Sequence, residues 1–218
     1  MLPGQVQHPL HYVALGDSLT VGVGSDLFHP GFVDRYAEEA SRTLGQPVFT
    51  DKYARTGATS GEILGALYLP VVSESLQTSD IVTLTAGGND LIDAAETFFI
   101  DQNENRLMSA LETAMANIKR IIERIHVIHN PEHHRYIMRI LNLYNPFPAI
   151  PQANAWIQNF NNHLSGFARY PHIKIADIYS AFQGRQNELL SLDRIHPNAR
   201  GYTVMAEVLN RLGYDPLI

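Results

Sequence analysis

The sequence predicts an α/β protein: a mostly parallel sheet of five strands covered by helices on both faces, in three layers. Two observations carry this. Short apolar runs alternate with segments of helical periodicity along the chain, and strands joined by right-handed helical crossovers pair in parallel with both faces buried. The 218 residues are 45% hydrophobic and 17% charged, which suits one domain that buries most of the surface its unfolded chain exposes. No internal repeat, low-complexity tract or linker interrupts residues 1–218, so they read as a single domain.

Residues 12–15 form a first apolar strand that stops at Gly16. Phe32, Val33, Tyr36, Ala37, Ala40 and Leu44 then recur at helical spacing, and Gly45 ends that helix. Residues 48–53 suit a second strand, and the loop Arg55-Thr56-Gly57-Ala58-Thr59-Ser60-Gly61 leads to a helix from Glu62. Residues 80–86 are the strongest strand, followed by Gly87-Gly88-Asn89-Asp90. A long helix spans 104–128, and Asn130-Pro131 ends it. Residues 136–143 are a fourth strand, followed by the proline-rich loop 144–151 and a helix over 152–167. Residues 173–178 are a fifth strand, and Pro197 suits the first turn of a last helix reaching about Leu212.

The formal net charge of −6, with no block of one sign, argues against nucleic acid as a partner. The absence of cysteine excludes disulfides, thiolate metal sites and a cysteine nucleophile. No run of about 18 apolar residues exists, so the sequence predicts no transmembrane segment. Residues 1–10 lack a basic start and an apolar stretch, which points to the cytoplasm and leaves a mature secreted form open. Oligomeric state is not legible.

In parallel sheets, sites form outside the carboxyl ends of the strands. The loops at Gly16, Gly57 and Gly87-Gly88 each follow a strand, so they should meet at one edge. Ser18, after Asp17, sits at a strand-to-helix turn, where it reads as a nucleophile or as a helix cap. No G-x-G-x-x-G, phosphate-binding loop or G-x-S-x-G elbow competes with the first reading. Gly57 reads as a turn glycine or as a backbone N–H donor beside substrate. Asn89 reads as a helix cap or as an amide aimed at an oxyanion. In Asp193-Arg194-Ile195-His196, the spacing lets the carboxylate reach one imidazole nitrogen while the other faces outward; a surface salt-bridge loop is the alternative. His126, His129, His133 and His134 read as exposed histidines near a helix end, not as metal ligands, because Pro131 interrupts the helix. Tyr144, Phe147 and Ile150 on one side, and Leu91, Ile92, Phe98 and Phe99 on the other, could wall an acyl pocket or complete the core.

Together these pieces resemble the SGNH hydrolases, or GDSL esterase/lipase family. Gly16-Asp17-Ser18-Leu19 is similar to the first block, Gly57 to the second-block glycine, Gly87-Gly88-Asn89-Asp90 to the third and Asp193 to Pro197 to the fifth. The second block departs from the pattern, since Tyr53-Ala54-Arg55-Thr56 carries no asparagine before its glycine. The resemblance implies a flavodoxin-like sandwich with strand order 2-1-3-4-5. It implies Ser18 as nucleophile, His196 as general base and Asp193 as its orienter. It also implies an oxyanion hole from the Ser18 N–H, the Gly57 N–H and the Asn89 amide, and neither metal nor organic cofactor.

The expected activity is hydrolysis of carboxylic esters, of lipase or esterase type, on a small acyl ester or lipid. A phospholipase, a carbohydrate deacetylase and a thioesterase would share the same triad, and a non-catalytic binding module would share the fold. Asp17, Arg55, Tyr144 and Phe147 are the candidate substrate contacts, with Arg55 equally readable as half of a structural ion pair.

Overall fold

The computed structural model describes residues 8–25, 28–129 and 135–217; the side chains of Phe99 and Asp101 lie outside this description. Five parallel strands form the sheet: β1 Leu10–Gly16, β2 Val48–Ala54, β3 Ile81–Leu84, β4 Ile137–Leu141 and β5 Ile173–Ala176. Their spatial order is β2-β1-β3-β4-β5, as expected for the flavodoxin-like arrangement. β3 and β4 are buried at every position, which fits strands covered on both faces.

Period-two alternation divides the sheet residues between two cores. Val13, Leu15, Val82, Leu84, Met138 and Ile140 point to one face. There they meet α3 Ser60–Ala66, α4 Pro70–Gln77, α5 Gly88–Asp101, α6 Glu104–His129 and α7 Pro151–Ser165. Tyr12, Ala14, Ile81, Ile137 and Leu141 point to the other face. They meet α2 Phe32–Leu44, α8 Ile178–Phe182, α9 Gln186–Leu189 and α10 Ala199–Arg211. In α6 the buried stripe Leu107, Leu111, Ala114, Ile118, Ile121, Ile122 and Ile125 follows the 3.6-residue period. Each of its leucines and isoleucines, fully buried, contributes roughly 1.5–3 kcal/mol.

Several sequence expectations change in detail. α2 has the expected bounds. α5 is a helix of 14 residues that starts at Gly88, capped by Gly87, where the sequence offered Asn89 as the cap. The fifth strand ends at Ala176, because Asp177 caps α8 by accepting from the Ser180 N–H. Pro197 precedes the last helix and does not belong to its first turn: Asn198 is the cap, accepting from the Arg200 and Gly201 N–H groups. Asn130 and Pro131, expected to end α6, lie outside the described residues, as do His133 and His134. His129 is not exposed. It is 2% accessible, lies 2.8 Å from Ser79 Oγ and stacks on Tyr136 at 3.8 Å. No helix among the described residues is long and apolar enough to cross a membrane.

Candidate active site

The glycine-bearing loops leave β1, β2 and β3 at their carboxyl ends. Ser18 opens α1 Ser18–Val21, a single helical turn. Its cap is Asp17, whose Oδ1 accepts from the Leu19 N–H at 3.0 Å. The cap alternative for Ser18 therefore passes to its neighbour, and the Ser18 hydroxyl is left for other work.

That hydroxyl lies 2.9 Å from His196 Nε2. On the other side of the ring, Nδ1 lies 2.6 Å from Asp193 Oδ2. The three groups, 178 residues apart in sequence at the extremes, form one hydrogen-bonded chain. Asp193 is held as firmly as it holds. Its Oδ1 accepts from Ser191 Oγ at 2.7 Å and from the Ile195 and His196 N–H groups at 2.9 Å each. Burial opposes its ionisation, but these bonds and the one from the imidazole more than offset that, so the carboxyl stays far below its ordinary range.

The loop carrying Asp193 and His196 is tied down at several points. Ser191 N–H donates to the His196 carbonyl at 2.8 Å, and the Asn198 amide donates to the Glu188 and Leu190 carbonyls at 2.8 and 3.0 Å. Tyr144 Oη donates to the Ile195 carbonyl at 2.6 Å, while Tyr202 Oη donates to the Val23 carbonyl at 2.5 Å in the segment that carries Gly24. Gly24 passes so close that a Cβ there would lie 2.9 Å from His196 Cβ.

The loops after β2 and β3 carry groups with hydrogen-bonding capacity to spare. Arg55 to Ala58 make a turn closed by the Ala58 N–H to the Arg55 carbonyl at 3.0 Å. Its third residue, Gly57, has φ +76°, which suits glycine in a type II turn. Nothing lies within 4 Å of where its Cβ would stand, so the space beside it is open. Asn89 is the second residue of α5, not its cap. One of its amide hydrogens goes to the Ala58 carbonyl at 2.8 Å, which leaves the second for a ligand.

The four candidate substrate contacts divide. Asp17 is 4% accessible and accepts from the Leu19 N–H and from Thr85 Oγ1 at 2.9 Å; burial pushes its carboxyl pKa up. Tyr144 is also buried, stacked on Phe182 at 4.6 Å. Both are committed to internal bonds and serve as scaffold, contrary to expectation. Arg55 pairs with Glu62, whose carboxylate also accepts from the Thr59 N–H at 2.9 Å, which selects the structural ion pair. Phe147 is open as well, at 38% exposed. It lines a cavity of about 330 Å³ with Pro146, Pro148, Ile150, Leu190 and Arg194. On the opposite side, Leu91 and Phe98 belong to the core and Ile92 is exposed, while the Phe99 side chain lies outside the description. Among the described residues no three His, Asp or Glu side chains stand close enough together to hold a metal ion.

A five-stranded parallel α/β sandwich, with a serine, histidine and aspartate hydrogen-bonded outside the strand ends, defines a class of hydrolase architecture. The GDSL-like Lipase/Acylhydrolase family matches residues 14–204, and the chain belongs to this family. It is similar to the spore germination lipase LipC of Bacillus licheniformis, 42% identical over 95% of this chain and 98% of that protein. It is also similar to the crystal structure of the lipase Lip_vut3 from goat rumen metagenome, with a TM-score of 0.93 and 42% identity over 96% of this chain and 100% of that one. An acetylxylan esterase of Geobacillus stearothermophilus, Axe2, shares the fold at a TM-score of 0.70 and 14% identity, over 94% and 95% of the two chains. The chain is a carboxylic-ester hydrolase.

Proposed function

We propose that the hydrolysis runs as a two-step acyl transfer on Ser18. His196 Nε2 takes the Ser18 proton as the oxygen attacks the ester carbonyl. Asp193 accepts a hydrogen bond from Nδ1–H, fixes the tautomer and stabilises the imidazolium without taking the proton. The Ser18 and Gly57 N–H groups and the second Asn89 amide hydrogen receive the oxyanion. The imidazolium returns its proton to the leaving alcohol, which departs and leaves the acyl-serine. Water, deprotonated by the same imidazole, attacks that ester; the intermediate collapses, Ser18 regains its proton and the acid is released.

The observation that carries the reading is the continuous chain Ser18–His196–Asp193, at 2.9 and 2.6 Å, at the edge where Gly57 and Asn89 converge. The cavity beside Phe147 is the candidate acyl pocket. Its volume of about 330 Å³ lies at the small end of the roughly 300–1,000 Å³ usual for ligand sites. It therefore favours esters of short and medium acids over long ones. Its apolar lining, and the lipases at 42% identity, favour lipid-like esters over sugar acetates.

The test is hydrolysis of p-nitrophenyl esters from acetate to palmitate, with fluorophosphonate labelling alongside. Ser18→Ala should lose about 10⁶-fold in kcat and all labelling, and kcat/KM should peak at butyrate to octanoate. Labelling that persists in Ser18→Ala would sink the nucleophile assignment. A peak at palmitate would refute the pocket.

A further inference from the structure

The proposed oxyanion donors come from two loops that the sheet does not join directly. Gly57 follows β2 and Asn89 follows β3, and β1 stands between those strands. Their relative position therefore rests on side chains. Resting on the oxyanion reading above, we infer that Asp90 is a positioning residue that holds the Asn89 amide against the Gly57 loop.

Asp90 adjoins Asn89 at the start of α5, and Ser60 stands three residues beyond Gly57 at the start of α3. Asp90 grips Ser60 with both oxygens: Oδ2 accepts from the Ser60 N–H at 2.8 Å and Oδ1 from Ser60 Oγ at 2.6 Å. Asn117 of α6 donates to the same Ser60 Oγ at 3.0 Å, and Ser60 is wholly buried. Next to this clamp, the Asn89 amide donates to the Ala58 carbonyl at 2.8 Å. Two loops are thus locked at two adjacent points, one made by Asn89 itself and one by Asp90. The Asn89 bond alone would let the amide pivot. The two-pronged grip next to it removes that rotation.

The tolerance at such a site is about 0.5 Å, and misplacement by about 1 Å can cost on the order of 10²-fold in rate. Asp90 touches no reacting atom in this scheme, so it acts through Asn89. It also borders an open groove of about 380 Å³, with Thr59, Gly61, Asp93, Thr113 and Asn117. Truncating Asp90 therefore admits water and leaves no dry void, which favours a folded variant.

The experiment is a double-mutant cycle on p-nitrophenyl butyrate with Asp90→Ala, Asn89→Ala and the pair. Asp90→Ala should lower kcat by about 10–100-fold with KM changed less than about threefold. In the Asn89→Ala background, the same change should cost less than about threefold, because no amide remains to be positioned. Ser60→Ala, which removes one prong, should show a smaller loss with the same dependence on Asn89, and serves in place of Asp90→Ala if that variant does not fold. If Asn89→Ala loses kcat but the clamp variants do not, or lose it equally with and without Asn89, the positioning role is wrong. If Asn89→Ala keeps full kcat, the oxyanion reading of Asn89 fails first, and the proposal with it.

Discussion

Asp193 and Gly24 show how single residues govern the imidazole from opposite sides. With its carboxyl held far below the ordinary range by the bonds from His196, Ile195 and Ser191, Asp193 stays ionised wherever the protein is folded and active. A depressed carboxylate contributes fully above its unfolded value, about 3.9, and its contribution fades only as pH falls through the lower folded value. Asp193 should therefore add no proton to the acid limb of kcat/KM; a limb of slope two would show that it titrates there. Asp193→Asn should lower kcat by about 10⁴-fold, since the amide favours the wrong tautomer. Gly24 acts by bulk. At φ +91°, a Cβ would stand 2.6 Å from the Pro197 carbonyl and 2.9 Å from His196 Cβ, so Gly24→Ala should push the imidazole off Ser18. The expected result is a loss of at least about tenfold in kcat in a protein whose circular dichroism is unchanged; wild-type kcat would show that the loop yields.

At the scale of elements, what was legible followed from local pattern and what was missed followed from tertiary contact. α2 and α6 carry long apolar stripes that their period reveals, and β3 is a short run of Ile, Val, Thr and Leu, rich in β-branched residues. α8 and α9 have five and four residues, too few for a period to register. Ser18 and Asn89 stood out because each lies in a short motif just after a strand, and Asp193 and His196 because of their spacing ahead of the last helix. The misassignment of Tyr144 and Asp17 has another cause: burial and hydrogen-bond partners 51 and 68 residues away have no local signature. Asn198 is of the same kind, since its side chain caps α10 and also tethers the Glu188 and Leu190 carbonyls. Asn198→Ser should retain the cap and lose the tethers, while Asn198→Ala loses both. Thermal melts should place the alanine variant lower by the worth of a cap, about 1 kcal/mol or roughly 2–4 °C, with kcat reduced in both. Full activity in Asn198→Ser would mean that the loop holds without those tethers.

The molecule as a whole depends on tyrosines kept protonated in its interior. Burial pushes the pKa of Tyr36 up to about 12, and those of Tyr12, Tyr136, Tyr144, Tyr202 and Tyr214 are raised by burial as well. In the unfolded chain all would ionise near 10. The folded state therefore keeps protons that the unfolded state has released, so stability is complete below about pH 10 and falls as pH rises towards the folded values. Each such proton contributes about 1.4 kcal/mol per pH unit, and six contribute about 8. A domain of this kind has about 5–15 kcal/mol to lose, so it should unfold cooperatively within about one to two units above pH 10. Tyr144 holds the Ile195 carbonyl, so the same step that ionises it frees the loop of His196. Tyrosinate absorbance, circular dichroism and ester hydrolysis followed from pH 8 to pH 12 should change together in one transition. If tyrosinate appears near pH 10 while circular dichroism and activity persist, the phenols ionise within the fold and alkaline stability rests on other groups.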